Sequence, residues 1–519
     1  MKKALKVLLS VFLVAVMIFG ISACDKNNDN GDETNGIDTT NWDVVEQVEK
    51  PTYTSGTVTM EDFESKYRPY TDWRIYEIRT TKSDIKPADG AKAYYVSNRG
   101  KAENDGLTPE TPLPDYASVR KKGLKTGDVI YFERGSIWRD QIEVGIPGVT
   151  LTAYGEGKAP RFYGSPANSA QEGYWLETDV ENVYVYKEPL LSMDVGSIIF
   201  DDKECAYKSL YSSEDQSNSS SKKYVNSYKD LKEDLQMYHE PKNKKLYLYC
   251  EGGNPADRFD SIELIYKVTM FVKADNVTVD GLCMKYACFG ISGSSSINSK
   301  ITGLTVRNCE FGWIGGNIQG TAGQSTTRYG NGIEIWGAAE DFTVTNNYFW
   351  QVYDAGVTFQ YRGGVFNDVK NIKFNDNVFD YCNYSIEYFY TGGNGVANDG
   401  KVYDFEIKNN HFWYAGEGLS SQRPDRSEIS HIRSGWVTQG NAIKIENNLF
   451  AISLKTLART LDYANLGGAY NNNVYAQYER RELAMNGKST TVYKMDANAK
   501  TNIETKLGDK NATVITIKK

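Results

Sequence analysis

A short phrase returns six times in the middle of the chain. It reads Val279-Asp280-Gly281-Leu282-Cys283-Met284, Val306-Arg307-Asn308-Cys309-Glu310-Phe311, Val344-Thr345-Asn346-Asn347-Tyr348-Phe349, Phe374-Asn375-Asp376-Asn377-Val378-Phe379, Ile407-Lys408-Asn409-Asn410-His411-Phe412 and Ile445-Glu446-Asn447-Asn448-Leu449-Phe450. Successive copies begin 27, 38, 30, 33 and 38 residues apart. Each is an apolar residue, a polar turn usually built on Asn, and a second apolar residue. A unit this short cannot bury a core alone, and irregular steps of this size mark a solenoid with variable loops. Helical periodicity is nearly absent from the copies. The pattern predicts an all-β chain: a right-handed parallel β-helix solenoid with a β-rich insertion and capping segments.

Stacking explains the phrase. Coils of a β-solenoid lie about 4.8 Å apart, the ordinary spacing of paired strands. Apolar residues at equivalent positions then merge into one core, and Phe311, Phe349, Phe379, Phe412 and Phe450 are expected to form an internal stack. Asn tolerates left-handed backbone and bonds neighbouring backbone groups, which suits a sharp corner between strands. Side chains at Asn308, Asn346, Asp376, Asn409 and Asn447 are placed to bond one another up the column.

With 519 residues the chain can hold a large core, and its 37 Tyr and 46 Gly favour strands and turns. A net charge of −8, with no Lys/Arg block beyond the extreme N-terminus, argues against a nucleic-acid partner. Lys2, Lys3 and Lys6 precede an apolar run from Val7 to Ile21, too short for a comfortable membrane span, and the run ends in Ile21-Ser22-Ala23-Cys24. This resembles a bacterial lipobox. The resemblance implies cleavage before Cys24, lipid attachment to it, and a membrane-anchored protein on the extracytoplasmic face of the cell membrane. Residues 25–41 are polar and acidic, the composition of a flexible tether. Of the other six Cys, no pair has metal-site spacing. Buried free thiols are expected, with disulfides open in such a compartment.

Tyr94-Tyr95-Val96-Ser97, Asn104-Asp105-Gly106-Leu107-Thr108-Pro109-Glu110-Thr111-Pro112 and Leu124-Lys125-Thr126-Gly127-Asp128-Val129-Ile130-Tyr131-Phe132 resemble the opening of secreted bacterial β-helix proteins related to pectate lyases and other polysaccharide-acting enzymes. The resemblance covers about residues 90–460. It implies the fold and an extracellular polysaccharide partner, and leaves the reaction open. The organisation read from the chain is a signal peptide (1–23), a lipid-anchored tether (24–59), an irregular lead-in, cap and first coils (60–165), a β-rich insertion or widened coils (166–270), regular coils (271–460), and last coils with a C-terminal cap (461–519). A monomer is expected.

A second column aligns Gly290-Ile291-Ser292, Gly332-Ile333-Glu334-Ile335, Gly356-Val357-Thr358-Phe359, Ser385-Ile386-Glu387-Tyr388 and Gly418-Leu419-Ser420. If the apolar member points inward, Ser292, Glu334, Thr358, Glu387 and Ser420 line one outer face. Glu334 and Glu387, two coils apart, are then separated by roughly 10 Å of backbone. That is within side-chain adjustment of the carboxyl separation of inverting glycosidases, about 6.5–9.5 Å. Asp354 enters the intervening coil, and Arg328 follows a loop from Gly315 to Ser325 that suits a groove wall; Glu334, Asp354, Glu387 and Arg328 are the candidate catalytic residues. Arg423, Asp425, His431 and Arg433 are read as loop residues around later coils. Trp313, Trp350, Trp413 and Tyr414 fall near strand ends of the same region. Trp336, Tyr353, Thr358, Gln360, Arg362 and Tyr390 are the candidate sugar-binding residues, since flat rings take sugar C–H faces. Hydrolysis is the leading reading and needs no cofactor. A lyase acting on uronates would need a base together with arginine or calcium, while a glycan-capturing lipoprotein would need neither.

Overall fold

A computed structural model describes residues 37–518 except 39, 188–193, 209, 212–222, 225–226, 241–242, 294–298, 319–327, 362–367, 391–400, 424–427, 436–442, 461–468 and 487–491. Cys24, the signal peptide and the tether up to residue 36 lie outside the described residues. At each repeated phrase the backbone turns through the left-handed region, with φ of 70° at Gly281, 55° at Asn308 and Asn346, 60° at Asp376, 56° at Asn409 and 59° at Asn447. The corner separates two strands of one coil, and the copies pair in parallel and in phase: Val279, Val306, Val344, Phe374, Ile407 and Ile445 are successive register partners. The chain is a right-handed parallel β-helix of three ladders. The first runs from Ala93–Val96 to Tyr470–Asn471. The second, after the Asn corner, runs through Glu310–Ile314 and His411–Ala415 to Thr513–Lys518, and the third through Ile333–Ile335 to Glu482–Asn486. The Phe column stands in the core, with adjacent centroids 4.8 Å apart from Phe311 to Phe349 and from Phe349 to Phe379.

Side chains of the outer corner column bond in short runs: Asn346 Nδ2 donates to Asn308 Oδ1 (2.7 Å), Asn308 Nδ2 to Asp280 Oδ1 (2.6 Å) and Asn409 Nδ2 to Asp376 Oδ1 (3.1 Å). The continuous chain of bonds belongs to the next residue. Asn347, Asn377, Asn410, Asn448 and Asn473 are fully buried, and each Nδ2 donates to the carboxamide oxygen one coil on, ending at Asp509 Oδ2, over 2.9–3.1 Å. The same oxygens accept the backbone N–H of the preceding Asn, as Asn410 Oδ1 does from Asn377 at 2.9 Å. Each amide also donates to a carbonyl of the first ladder, as Asn410 does to Phe374 O at 2.8 Å. This ladder satisfies the corner's buried polar groups and locks one coil to the next.

The lead-in differs from its expected irregular form. Met60–Thr80 is a 21-residue helix, α1, capped by Thr59, whose Oγ1 accepts the Asp62 N–H at 3.1 Å. Its buried residues Phe63, Tyr67, Thr71, Ile75 and Ile78 recur at helical spacing and lie on the outer side of the second ladder. Arg68 grips buried Asp380 with two bonds of 2.7 Å, Arg74 reaches Asn346 and the Asp376 carbonyl, and Arg79 grips buried Glu310 at 2.6 and 2.9 Å. These polar anchors replace part of the apolar stripe that marks a helix in a sequence. Residues 37–59, read as part of the tether, are likewise fastened. Asp38 pairs with Arg161 at 3.1 Å, Trp42 lies 4.2 Å under the Arg79 guanidinium, and Gly56–Thr59 joins the second ladder beside Thr513–Lys518.

From Trp175 to Leu264 the strands leave the ladders, and Val268–Val272 rejoins the third. Trp175–Glu177, Val183–Tyr186, Gln236–Glu240, Lys245–Tyr249 and Tyr207–Lys208 form one sheet, and Ile198–Phe200, Glu204–Cys205 and Ile262–Leu264 another. They enclose a separate core around Trp175, Phe200 and Leu248. The six described Cys are free thiols, all buried except half-buried Cys205.

Replacing Asn410 by Ala would strip an acceptor from the Asn377 N–H and a donor from the Phe374 carbonyl. A loss of about 3 kcal/mol is expected, read as an earlier unfolding midpoint in urea; a loss below about 1 kcal/mol would mean that the ladder does not hold the coils.

Candidate active site

Strand alternation on the third ladder sends Ile333, Val357 and Ile386 into the core and their successors outward. Register makes Ser292, Glu334, Thr358, Glu387, Arg433 and Arg459 one outer column. Glu334 and Glu387 are two ladder steps apart, about 9.6 Å along the axis, with the small Thr358 between them. Ser420 is not in this column. It lies in the 3-10 turn Gly418–Gln422, held out of the ladder where the Leu419 N–H donates to Gln351 Oε1 at 2.7 Å. The strand Ser430–Gly435 takes its place and sets Arg433, read as a loop residue, directly beside Glu387.

The two glutamates have different surroundings. Glu334 is half-buried and accepts a hydrogen bond from Asn331 Nδ2, while Asn331 Oδ1 is tied to the Ala355 N–H at 2.9 Å. Burial raises the Glu334 carboxyl to about 7; the Asn331 bond opposes this and the Asp354 charge adds to it. Glu387, 4% exposed, accepts from Gln360 Nε2 at 3.1 Å and from Arg433 Nη1. Burial raises its carboxyl too, Arg433 and Arg423 oppose that, and Asp354 reinforces it. Asp354 sits at the corner entering the Thr358 strand, 2% exposed, and accepts from Arg423 Nη1 at 2.5 Å. Arg423 is positioned by its neighbour: Gln422 Nε2 donates to the Ala206 carbonyl of the insertion at 3.1 Å, which ties the turn to that wall. The insertion also abuts the Gly315–Gly316 corner, where a Cβ on Gly196 would come within 2.1 Å of Gly316 O.

Arg328 does not reach a carboxylate. It is buried, donates from Nε to the Gly315 carbonyl at 2.5 Å, and lies 3.9 Å over the Tyr353 ring, with Nη2 left without a partner. Tyr353, placed among the sugar-binding residues by sequence, is 1% exposed and lies under both Arg328 and Arg423, so it supports guanidinium groups instead of presenting a ring to solvent. Thr358 is fully buried, and its hydroxyl has no hydrogen-bond partner. Trp336 is half-buried, one residue beyond Ile335. Arg362 and Asp425 lie outside the described residues, and only the backbone of Tyr390 is described, paired with Tyr361. His431 faces the core, between Ser385 Oγ and the Ile452 carbonyl at 3.1 Å each, and burial lowers it to about 3. Trp413 and Tyr414 lie beneath α1, away from this column, with Trp413 Nε1 donating to Thr71 Oγ1. Among the described residues no group of three or more His, Cys, Asp or Glu is disposed to hold a metal ion. Asp354 and Glu387 already hold arginines, so this carboxylate set does not fit calcium.

Neither a protein-family model nor a curated protein matches the sequence. Among solved structures, XylC in complex with xylose aligns at 12% identity over 78% of this chain and 73% of that one, with a TM-score of 0.40. A glycoside hydrolase aligns at 9% over 82% and 97%, TM-score 0.39, and a lacto-N-biosidase from Eubacterium ramulus at 11% over 88% and 70%, TM-score 0.29.

The raised Glu334 carboxyl links stability to pH. Between its ordinary value of 4.5 and about 7 the folded chain retains a proton that the unfolded chain releases, so this group's contribution to stability falls as pH rises through that window. Glu334→Gln cannot titrate. Its unfolding midpoint relative to the native protein is therefore expected to climb from pH 4 to pH 8; a constant difference would show that Glu334 ionises normally.

Proposed function

We propose that the protein is a glycoside hydrolase that cleaves an extracellular polysaccharide by an inverting route, with Glu334 as general acid and Glu387 as general base. One observation carries the reading: two outward carboxyls stand two ladder steps apart across a small residue, and among the described residues only one of them is paired with a cation. A retaining enzyme needs its carboxyls about 5–5.5 Å apart, close to one ladder step, whereas an inverting enzyme needs room for a water. Glu334, with a carboxamide for its bonding partner, keeps a proton near neutral pH and gives it to the leaving glycosidic oxygen. Glu387, which Arg433 favours as the anion, takes a proton from water as that water attacks the anomeric carbon from the opposite face. The C–O bond breaks, and each product gains a hydroxyl. Asp354, clamped by Arg423, raises both carboxyls and acts as a positioning residue. Gln360 and Trp336 offer polar and ring contacts to the sugar. By the lipobox resemblance, the protein would work at the cell surface, anchored through Cys24.

Incubation with neutral and acidic polysaccharides is expected to release reducing ends without the absorbance of unsaturated uronates. Glu334→Gln and Glu387→Gln are each expected to lower kcat by about 10²–10⁴-fold. Uronate absorbance rising with the reducing ends would replace hydrolysis by elimination. Full activity in either Gln variant would overturn the assignment.

A further inference from the structure

Beyond Glu387 the outer column continues into arginines. Arg433 and Arg459 are register partners one ladder step apart, so two like charges stand about 4.8 Å apart along the axis. Glu428, half-buried just before the strand Ser430–Gly435, bridges them. Arg433 Nε donates to Glu428 Oε2 at 2.9 Å, Arg433 Nη2 bonds the same oxygen, and Arg459 Nη1 lies 2.7 Å from Glu428 Oε1. Only Arg433 Nη1 turns the other way, onto Glu387. The planar guanidinium is thus divided, one edge on Glu428 and one corner on Glu387, over the Tyr384 and Phe389 rings at 5.0 and 4.6 Å.

We propose that Glu428, held by Arg459, is a positioning residue for Glu387: by occupying one edge of Arg433 it decides which corner of that guanidinium the Glu387 carboxylate meets and how much of its charge reaches it. This rests on the role of Glu387 as general base. Among the described residues, the charged and titratable groups facing Glu387 are Arg433, Arg423, Asp354 and Tyr384, with Glu334 two steps along the column; those facing Glu428 are Arg433 and Arg459. Burial works against ionisation of Glu428, yet Arg433 and Arg459 hold its carboxyl below the ordinary value, so it remains an anion in the working range. A neutral side chain there would leave the whole charge of Arg433 to Glu387 and favour the base form at lower pH. Removal of Arg459 acts in the opposite sense, because Glu428 then draws on Arg433 alone.

The experiment is the pH profile of kcat/KM on whichever polysaccharide the protein cleaves. Glu428→Gln should move the acid limb down by roughly one pH unit and leave the basic limb, set by Glu334, in place. Arg459→Met should move the acid limb up, and Glu428→Asp should restore part of the native profile. A purely structural role predicts a loss of kcat/KM at every pH with both limbs unmoved; that result, or shifts of the same sign in Glu428→Gln and Arg459→Met, would overturn the proposal. Full activity in Glu387→Gln would instead remove the base assignment on which it stands.

Discussion

The hydrogen bond from one buried carboxamide to the next is the interaction on which the rest of the structure depends. An Asn side chain presents a donor and an acceptor in one rigid plane, and at Asn347, Asn377, Asn410, Asn448 and Asn473 both are spent along the solenoid axis. Such a column has one stable repeat distance, that of paired strands, and one register. A slip of one residue would bury the outer corner side chain in place of the ladder Asn and turn every strand inside out. The net worth of each bond is modest, about 1 kcal/mol, but a buried amide without its partner costs more than the bond gains. The ladder therefore acts against wrong registers more than it adds to the right one.

Register is what the site requires. Glu334, Thr358 and Glu387 are separated by loops of unequal length, and nothing local brings them together. Their common face exists only because the coils are held in phase. Within that face the charges are unequally divided. Arg423 and Arg433 serve Asp354 and Glu387, and the cations continue to Arg459 on the same side, while Glu334 at the other end is bonded to a carboxamide. On the proposed reading, this uneven distribution of positive charge is what sets the two side chains apart, since they have the same ordinary acidity and burial raises both.

Reading the sequence alone found what repeats. The Asn corner, the Phe stack and the outward position of Glu334, Thr358 and Glu387 follow from spacing, because stacking turns period into contact. It failed where one coil departed from its neighbours. Gly418-Leu419-Ser420 imitates the column in three letters, but the side chain of Gln351 holds that segment out as a turn, and Arg433 took the position instead. It also failed where a partner comes from elsewhere in the chain. No local signal couples Arg423 to Asp354, 69 residues away, and Tyr353 became a support because the Arg328 and Arg423 guanidinium groups both pack on its ring. Helix α1 was legible in part: Thr59 with Asp62 is a capping signal, and Phe63, Tyr67, Thr71, Ile75 and Ile78 share a face. Three arginines and a threonine among its contacts blurred the stripe.

The same helix shows how the ladder's repeat distance propagates outward. A helix of 21 residues is about 31 Å long, and the second ladder takes six steps from Thr513–Lys518 to Glu310–Ile314, about 29 Å. The match lets Phe63 pack beside Ile515 while Arg79 reaches Glu310, with Arg68 on Asp380 and Arg74 on Asn346 between them. Each arginine meets a carboxylate or carboxamide that a β-helix would otherwise leave facing solvent on that side. Burying Asp380 and Glu310 is costly, and guanidinium groups at a fixed spacing offset it together with the Tyr348 hydroxyl on Asp380 and the Trp350 N–H on Glu310. Coil spacing thus matches helix length and arginine spacing, and the helix in return ties the last coil to the coil that carries both Glu310 and Glu334, so that the second ladder is braced over the coils that build the candidate column.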